Sequence, residues 1–241
     1  MQCSDVAAKH GGAVFALIPA AGSGSRMGGL TSNTSKVLLD VGGSSILRLT
    51  IRSMVASGVC RGIVVLTRGE DLAAAQSLLS EEAQGLECEA APGGDTRQES
   101  VYRGLLLLQG RADYVLIHDG ARPFCPPALI ADVAREAAAT GAAILALPVK
   151  PSMKLVSAGV IERSLPRASV YEAQTPQAFR FDLVFAAYQQ AAAAGVQATD
   201  DAELVERVGE RVTVVLGDER NLKITSPQDL ELAETLLNKR P

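Results

Sequence analysis

Residues 14–27 read Val-Phe-Ala-Leu-Ile-Pro-Ala-Ala-Gly-Ser-Gly-Ser-Arg-Met, an apolar run that breaks at once into a glycine-rich turn. A continuous apolar run of this length matches a strand buried on both faces, as in a parallel sheet covered by helices. The apolar stretch covers 13–21 and is too short for the ~20 residues that a membrane-spanning helix needs. It is also a poor signal-peptide core. Lys9 is the only Lys or Arg before it, Asp5 offsets that charge, and the turn follows directly.

Working outward, further strand patterns fall at 63–67, 86–90, 114–118, 142–148 and 212–216. Helical patterns fall between and after them, at 45–57, 71–79, 97–108, 127–139, 182–194, 200–208 and 226–238. The last has a clear start, with Ser226 as N-cap, Pro227 in the first turn and Asp229 three residues on. Alternation of this kind predicts an α/β doubly wound, mostly parallel sheet. One region breaks the rhythm. Residues 150–171 read KPSMKLVSAGVIERSLPRASVY, with two prolines and β-branched stretches flanking Ser157-Ala158-Gly159. This reads as a β-hairpin arm, with a loosely ordered surface loop as the alternative, and because an isolated hairpin is marginal in water, a second copy of the chain is a natural candidate for it to pack on.

Composition sets the outer bounds. The 241 residues are 47% hydrophobic and 21% charged, which excludes wholesale disorder. Aromatics are 4% with no Trp, so the core is built from Ala, Val, Leu and Ile. A net charge of −4 argues against general binding to nucleic acid or an anionic membrane. Cys3, Cys60, Cys88 and Cys125 form no CxxC pair and the chain has two His, so zinc-type spacing is absent. Reduced thiols and a cytoplasmic location are expected.

The turn after the first strand is the strongest chemical signal. Small residues at Ala20, Ala21 and Gly22 let backbone N–H groups approach an anion closely. Arg26 and Lys36 add fixed positive charge. No Walker A string is present, and the dinucleotide pattern GxGxxG is spoiled because the third glycine is displaced to Gly28. The next strand starts more than forty residues after Gly22, which suits a long phosphate-handling loop and disfavours an NAD(P) oxidoreductase. Three more clusters lie where open α/β sheets bind ligands, at the carboxyl ends of strands. They are Gly93-Gly94-Asp95-Thr96-Arg97, His118-Asp119-Gly120-Ala121-Arg122-Pro123 and Asn221-Leu222-Lys223-Ile224-Thr225. Asp119 can hold one Mg²⁺ whose other ligands are phosphates and water. His118 ends an apolar strand and reads as structural. Asp200 and Asp201 read as acidic charge at a helix N-terminus.

The combination AAGSGSRM, Lys36, GGDTRQES, HDGARP, PSMK, QTPQ, TDDAE and NLKIT resembles the 2-C-methyl-D-erythritol 4-phosphate cytidylyltransferases, within the sugar nucleotidyltransferase superfamily. The resemblance runs from about Val14 to Leu237. It implies a Rossmann-like nucleotidyltransferase domain over 1–241, with a dimerisation arm inserted at 149–171. It also implies a homodimer, Mg²⁺ as cofactor, and CTP and methylerythritol 4-phosphate as substrates of a non-mevalonate isoprenoid route. Arg26 and Lys36 would hold the triphosphate and stabilise the transition state. Ala20, Ala21, Gly22, Gly94, Asp95 and Ser100 would hold cytosine and ribose. Asp119 would serve metal and acceptor, with Arg122, Thr175 and Lys223 lining the acceptor pocket and Ser152 and Arg167 arriving on the partner's arm. The chain departs from the pattern in two places. Its loop from Gly28 to Ser35 is longer and lacks the usual Pro, and the arm has Pro151-Ser152 where the family carries Asp-Thr. A cytidylyltransferase for another polyol phosphate, such as ribitol 5-phosphate, differs on the acceptor side, where HDGARP and the Arg122–Thr175 set favour methylerythritol phosphate. A catalytically silent nucleotide-binding module is disfavoured by the retained Arg26, Lys36, Asp119 and Lys223.

Overall fold

The computed structural model describes residues 12–22, 27 and 35–238. Strand β1 (Val14–Pro19) lies inside a seven-stranded sheet, with β4 (Gly62–Thr67) on one side and β6 (Tyr114–Ile117) on the other, both parallel to it. The short β2 (Asp40–Val41) and β3 (Ser44–Ser45) pair with each other alone. Beyond β4 lies β5 (Glu87–Pro92), again parallel. Beyond β6 come β10 (Tyr171–Arg180), β7 (Ala142–Pro148) and β11 (Thr213–Leu216), with β10 antiparallel to both of its neighbours. The expected mostly parallel α/β sheet is present.

The continuous apolar runs have the expected cause. In β1, Ala16 and Ile18 face a core shared with α1 (Ile46–Ala56), α2 (Leu72–Glu82) and α4 (Pro127–Thr140). Phe15 and Leu17 face a second core shared with α3 (Arg97–Leu108), α5 (Phe181–Ala194) and α6 (Asp201–Arg207). Ile63 and Val65 against Val64 and Leu66 repeat the division in β4. A strand packed on both faces has no position for a polar residue, so the period-2 signature disappears. A smaller core joins Met27, Val41 and Phe124 to Ile224 and Ala233, and so fixes the last helix, α7 (Pro227–Asn238).

The helices expected from 45, 200 and 226 start one residue later because their capping residues stand outside them, while α3 starts at Arg97 as expected behind its own cap. Ser45, Thr96 and Asp200 each accept a hydrogen bond from the backbone N–H three residues on. At α7 the cap is reciprocal. Ser226 Oγ accepts from Asp229 N–H, and the Asp229 carboxylate accepts from Ser226 N–H.

Strand β10 is the element that the sequence pattern conceals. Gln174, Thr175, Pro176 and Gln177 interrupt its apolar character, and a proline argues against an interior strand. The structure resolves the conflict with an irregularity. Pairing with β7 runs over Tyr171–Ala173 and resumes at Gln177, while pairing with β6 begins only at Gln177. Pro176, which follows a cis peptide bond, falls in the gap where no ladder N–H is required. The expected hairpin is also present. Strands β8 (Lys154–Ser157) and β9 (Val160–Ser164) pair antiparallel. Ala158 and Gly159, at φ +48° and +79°, form the two-residue turn, and double positive φ is what a type I′ hairpin demands.

Candidate active site

The strand order reverses between β1 and β6, and ligands in open α/β sheets settle at such a switch point. A cavity of about 340 Å³ opens there. It gathers Ala20, Ala21, Gly22, Lys36, Gly94, Asp95, Ser100, Asp119 and Lys223, all expected from the sequence, together with Arg97. Arg26, the other expected triphosphate cation, lies outside the described residues, as do residues 28–34 of the long loop.

Local geometry explains the small residues. A Cβ on Gly93 would stand 2.5 Å from Ala21 Cβ and 2.8 Å from Ser100 Oγ, so only glycine lets the turns after β1 and β5 touch. Ser100 is buried, its hydroxyl accepting from Gly94 N–H at 2.9 Å and donating to Thr96 O at 2.9 Å. Its contribution is to hold the Gly94 loop in shape. Glu99 Oε2 accepts from Asp95 N–H at 2.9 Å, fixing the rest of the loop.

A second cavity of about 260 Å³ shares Arg97, Asp119 and Lys223 with the first and adds Arg122, Thr175, Gln174, Gln177, Thr199 and Asp200. Asp119 therefore stands in the wall between two lobes. Its Oδ1 accepts from Arg97 Nε at 2.8 Å and its Oδ2 from Lys223 Nζ at 2.6 Å, with Arg122 Nε 3.9 Å from Oδ2. Burial pushes the Asp119 carboxyl up, but Arg97 and Lys223 more than reverse this and hold it well below the usual carboxylate range. Lys223 is placed from two sides. Ile224 N–H donates to Ala121 O at 2.8 Å, and Asn221 Nδ2 donates to Thr175 O at 2.8 Å inside the β10 irregularity. Arg122 is buried, and its Nη1 donates to Asn221 O at 2.6 Å. Its Nε finds no hydrogen-bond partner among the described residues.

His118 is fully buried and structural, as its place at a strand end suggested. Nε2 lies 3.1 Å from the Arg122 carbonyl, which can only accept, so the ring proton sits on Nε2. Nδ1 then accepts from the Thr175 hydroxyl at 3.0 Å, while Thr175 Oγ1 accepts from Asp119 N–H at 3.0 Å. Burial pushes the ring down to about 4, opposed by the Asp119 charge, so it is neutral at pH 7. Both nitrogens are occupied, which removes His118 as a general base.

The acidic pair divides. Asp200 caps α6, as expected of charge at a helix start. Asp201 corrects that reading. Its fully buried carboxylate is held by Arg97 Nη1 and Nη2 at 2.9 and 2.7 Å and by the Tyr188 hydroxyl. Arg97 itself stands in the Gly93–Arg97 cluster, where the sequence assigned it no individual role. Its signal was present, since a cation in the first turn of a helix opposes the macrodipole and needs another reason to be there.

Ser152 and Arg167 are exposed on the arm and line neither cavity, and Arg167 Nη1 donates to Lys150 O at 3.1 Å. Among the described residues no three His, Cys, Asp or Glu side chains gather into a metal cage. The single Asp119 carboxylate fits a divalent ion that arrives on a triphosphate, because such an ion takes one or two carboxylates and completes its shell with phosphate and water. The thiols of Cys60 and Cys125 are buried and pushed up to about 12 by that burial, as inert core groups. No helix among the described residues is long and apolar enough to cross a membrane.

A backbone-lined turn for a nucleoside, a cation for its phosphates and a polar lobe across one salt-bridged wall suit a protein that carries a nucleotide to an acceptor. The class is nucleotidyltransferase. The family model IspD, 2-C-methyl-D-erythritol 4-phosphate cytidylyltransferase, matches residues 14–239. The chain is 42% identical over 231 residues to the 2-C-methyl-D-erythritol 4-phosphate cytidylyltransferase of Pelotomaculum thermopropionicum, covering 94% of this chain and 95% of the relative. It is 40% identical over 225 residues to that of Shouchella clausii, covering 93% and 96%. The crystal structure of 4-diphosphocytidyl-2C-methyl-D-erythritol synthase from Anaerococcus prevotii superposes with a TM-score of 0.84 at 30% identity, covering 95% of this chain and all of that one. The chain belongs to the 2-C-methyl-D-erythritol 4-phosphate cytidylyltransferase family, CTP-dependent nucleotidyltransferases of the isoprenoid pathway through methylerythritol phosphate.

Proposed function

We propose that this chain transfers the cytidylyl group of CTP to the phosphate of 2-C-methyl-D-erythritol 4-phosphate and releases pyrophosphate. The observation that carries the reading is the Asp119 wall, shared by a nucleotide lobe and an acceptor lobe. Cytosine and ribose lie against Ala20, Ala21, Gly22, Gly94, Asp95 and the loop that Ser100 shapes. Lys36 and Arg26 hold the triphosphate and neutralise charge that develops on the leaving pyrophosphate. In the acceptor lobe Arg122 and Lys223 take the acceptor phosphate, and Thr175 and Asp119 take hydroxyls.

One oxygen of the acceptor phosphate attacks the α-phosphorus, and the bond to the β-phosphate oxygen breaks in line with it. With its second pKa near 6, a phosphate monoester is largely ionised at neutral pH and needs no general base. That agrees with a neutral His118 whose nitrogens are both engaged. The remaining task is to bring two anions together, which positioning and fixed cations perform. Mg²⁺ held by Asp119 on the triphosphate would supply further neutralisation of the pyrophosphate.

The chain acts as a single domain over 1–241 with an arm at 149–171, and as a homodimer in which Ser152 and Arg167 of a second copy's arm complete the acceptor lobe. Free thiols at Cys60, Cys88 and Cys125 support a cytoplasmic location. Pyrophosphate release with CTP, Mg²⁺ and a panel of polyol phosphates tests the reaction. Methylerythritol phosphate is the expected preferred acceptor, and a preference for ribitol 5-phosphate overturns the assignment.

A further inference from the structure

We infer that Arg97 is a positioning residue for this reaction: anchored by Asp201 and Tyr188, it holds Asp119 from closing onto Arg122, one of the two cations that take the acceptor phosphate. The inference rests on the acceptor lobe as read above.

The groups form one connected path across four elements. The Tyr188 hydroxyl, on α5, donates to Asp201 Oδ1, at the start of α6, at 2.5 Å. The Asp201 carboxylate receives both terminal nitrogens of Arg97, at the start of α3. Arg97 Nε then donates to Asp119, just beyond β6. Burial works against the Arg97 charge, and Asp201 and Asp119 more than offset it, so the guanidinium stays charged. Burial and the Asp201 carboxylate also raise the Tyr188 phenol, keeping its proton available to donate. Only a guanidinium can face two carboxylates in this way, a fork to one and Nε to the other, since an ammonium has no fixed plane.

Stability alone does not account for such a path, because a buried ion pair is often no more stabilising than apolar packing of similar volume. The location of Asp119 gives a stronger reason. Its Oδ2 is 3.9 Å from Arg122 Nε, a buried donor without a partner among the described residues. If Arg97 released Oδ1, the carboxylate would be held by Lys223 at Oδ2 alone, and it could turn about that contact to close the 3.9 Å gap to Arg122 and neutralise it. The acceptor phosphate would then compete with an internal anion for its own cation. Arg97 prevents this from the wall that the two lobes share.

The test is steady-state kinetics on R97K, D201N and Y188F with each substrate varied, alongside thermal unfolding. R97K keeps the charge and loses the fork, and about a tenfold rise in acceptor KM is expected, the scale of one charge-assisted hydrogen bond and larger than the change in CTP KM. D201N frees Arg97 and moves acceptor KM in the same direction, and Y188F moves it less. If R97K fails to fold, D201N and Y188F carry the test, since both nearly preserve shape. In a D119N background the R97K change in acceptor KM disappears. Folded variants with unchanged acceptor KM, or with both KM values rising equally, overturn the inference. A wild-type chain that does not use methylerythritol phosphate overturns the functional reading instead.

Discussion

The wall around Asp119 and the arm of β8 and β9 stand at opposite extremes of burial. In the wall, His118 is fully buried, Asp119, Arg122 and Thr175 are less than a tenth exposed, and every one of them bonds to a neighbour in the same chain. In the arm every residue of both strands is exposed, Val160 at 69% and Ile161 at 59%. The wall is complete within one chain. The arm carries exposed apolar side chains on a hairpin that is marginal by itself, and this is what the proposed second copy would cover. The proposed acceptor chemistry draws on both, and the two regions are expected to answer differently to mutation.

The largest expected effect lies on the nucleotide side of the wall. Lys36→Ala and Arg26→Ala each reduce kcat by about 100-fold or more, the usual loss when one electrostatic stabiliser is removed. Near-normal kcat in both folded variants, measured by pyrophosphate release, removes the proposed mechanism. Next comes acid stability. His118 is lowered from an ordinary value near 6.5 to about 4, so its contribution is complete above pH 6.5 and is lost as pH falls toward 4. The shift corresponds to about 3 kcal/mol. Urea unfolding of wild type against H118Q across that range shows it, with a shallower acid dependence in the variant. Parallel curves would mean that His118 is not the buried neutral group described. The smallest effect on folding belongs to the arm. Ile161→Asp shifts the chain from dimer to monomer in light scattering while Tm moves by no more than about 2 °C, as expected for an exposed site. A large fall in Tm with an unchanged oligomeric state would show that the arm packs on its own chain.

The same division governs what the sequence makes legible. Strand β1 was readable because burial on two faces leaves Phe15, Ala16, Leu17 and Ile18 all apolar. The arm was readable because Ser157-Ala158-Gly159 signals a tight turn between β-branched stretches. Strand β10 was hidden because its Gln174–Gln177 segment serves the site instead of the ladder, with Thr175 bonded to Asp119 and His118. Most of the expected nucleotide and acceptor residues do line the two lobes. The role of Arg97 and its pairing with Asp201 are not legible because the two stand more than a hundred positions apart, and local spacing carries no trace of the pair. A helix-start acid is usually explained by the macrodipole, and only the buried Arg97 contact distinguishes Asp201 from that case.

The contrast between a self-contained wall and a borrowed arm is tested most directly by mixing two inactive variants, Lys36→Ala and Arg167→Ala. In a twofold dimer with shared sites, random mixing places an intact body beside an intact arm in one site of each mixed dimer, so about a quarter of wild-type activity returns. Activity that stays at the sum of the separate variants after subunit exchange would contradict the account.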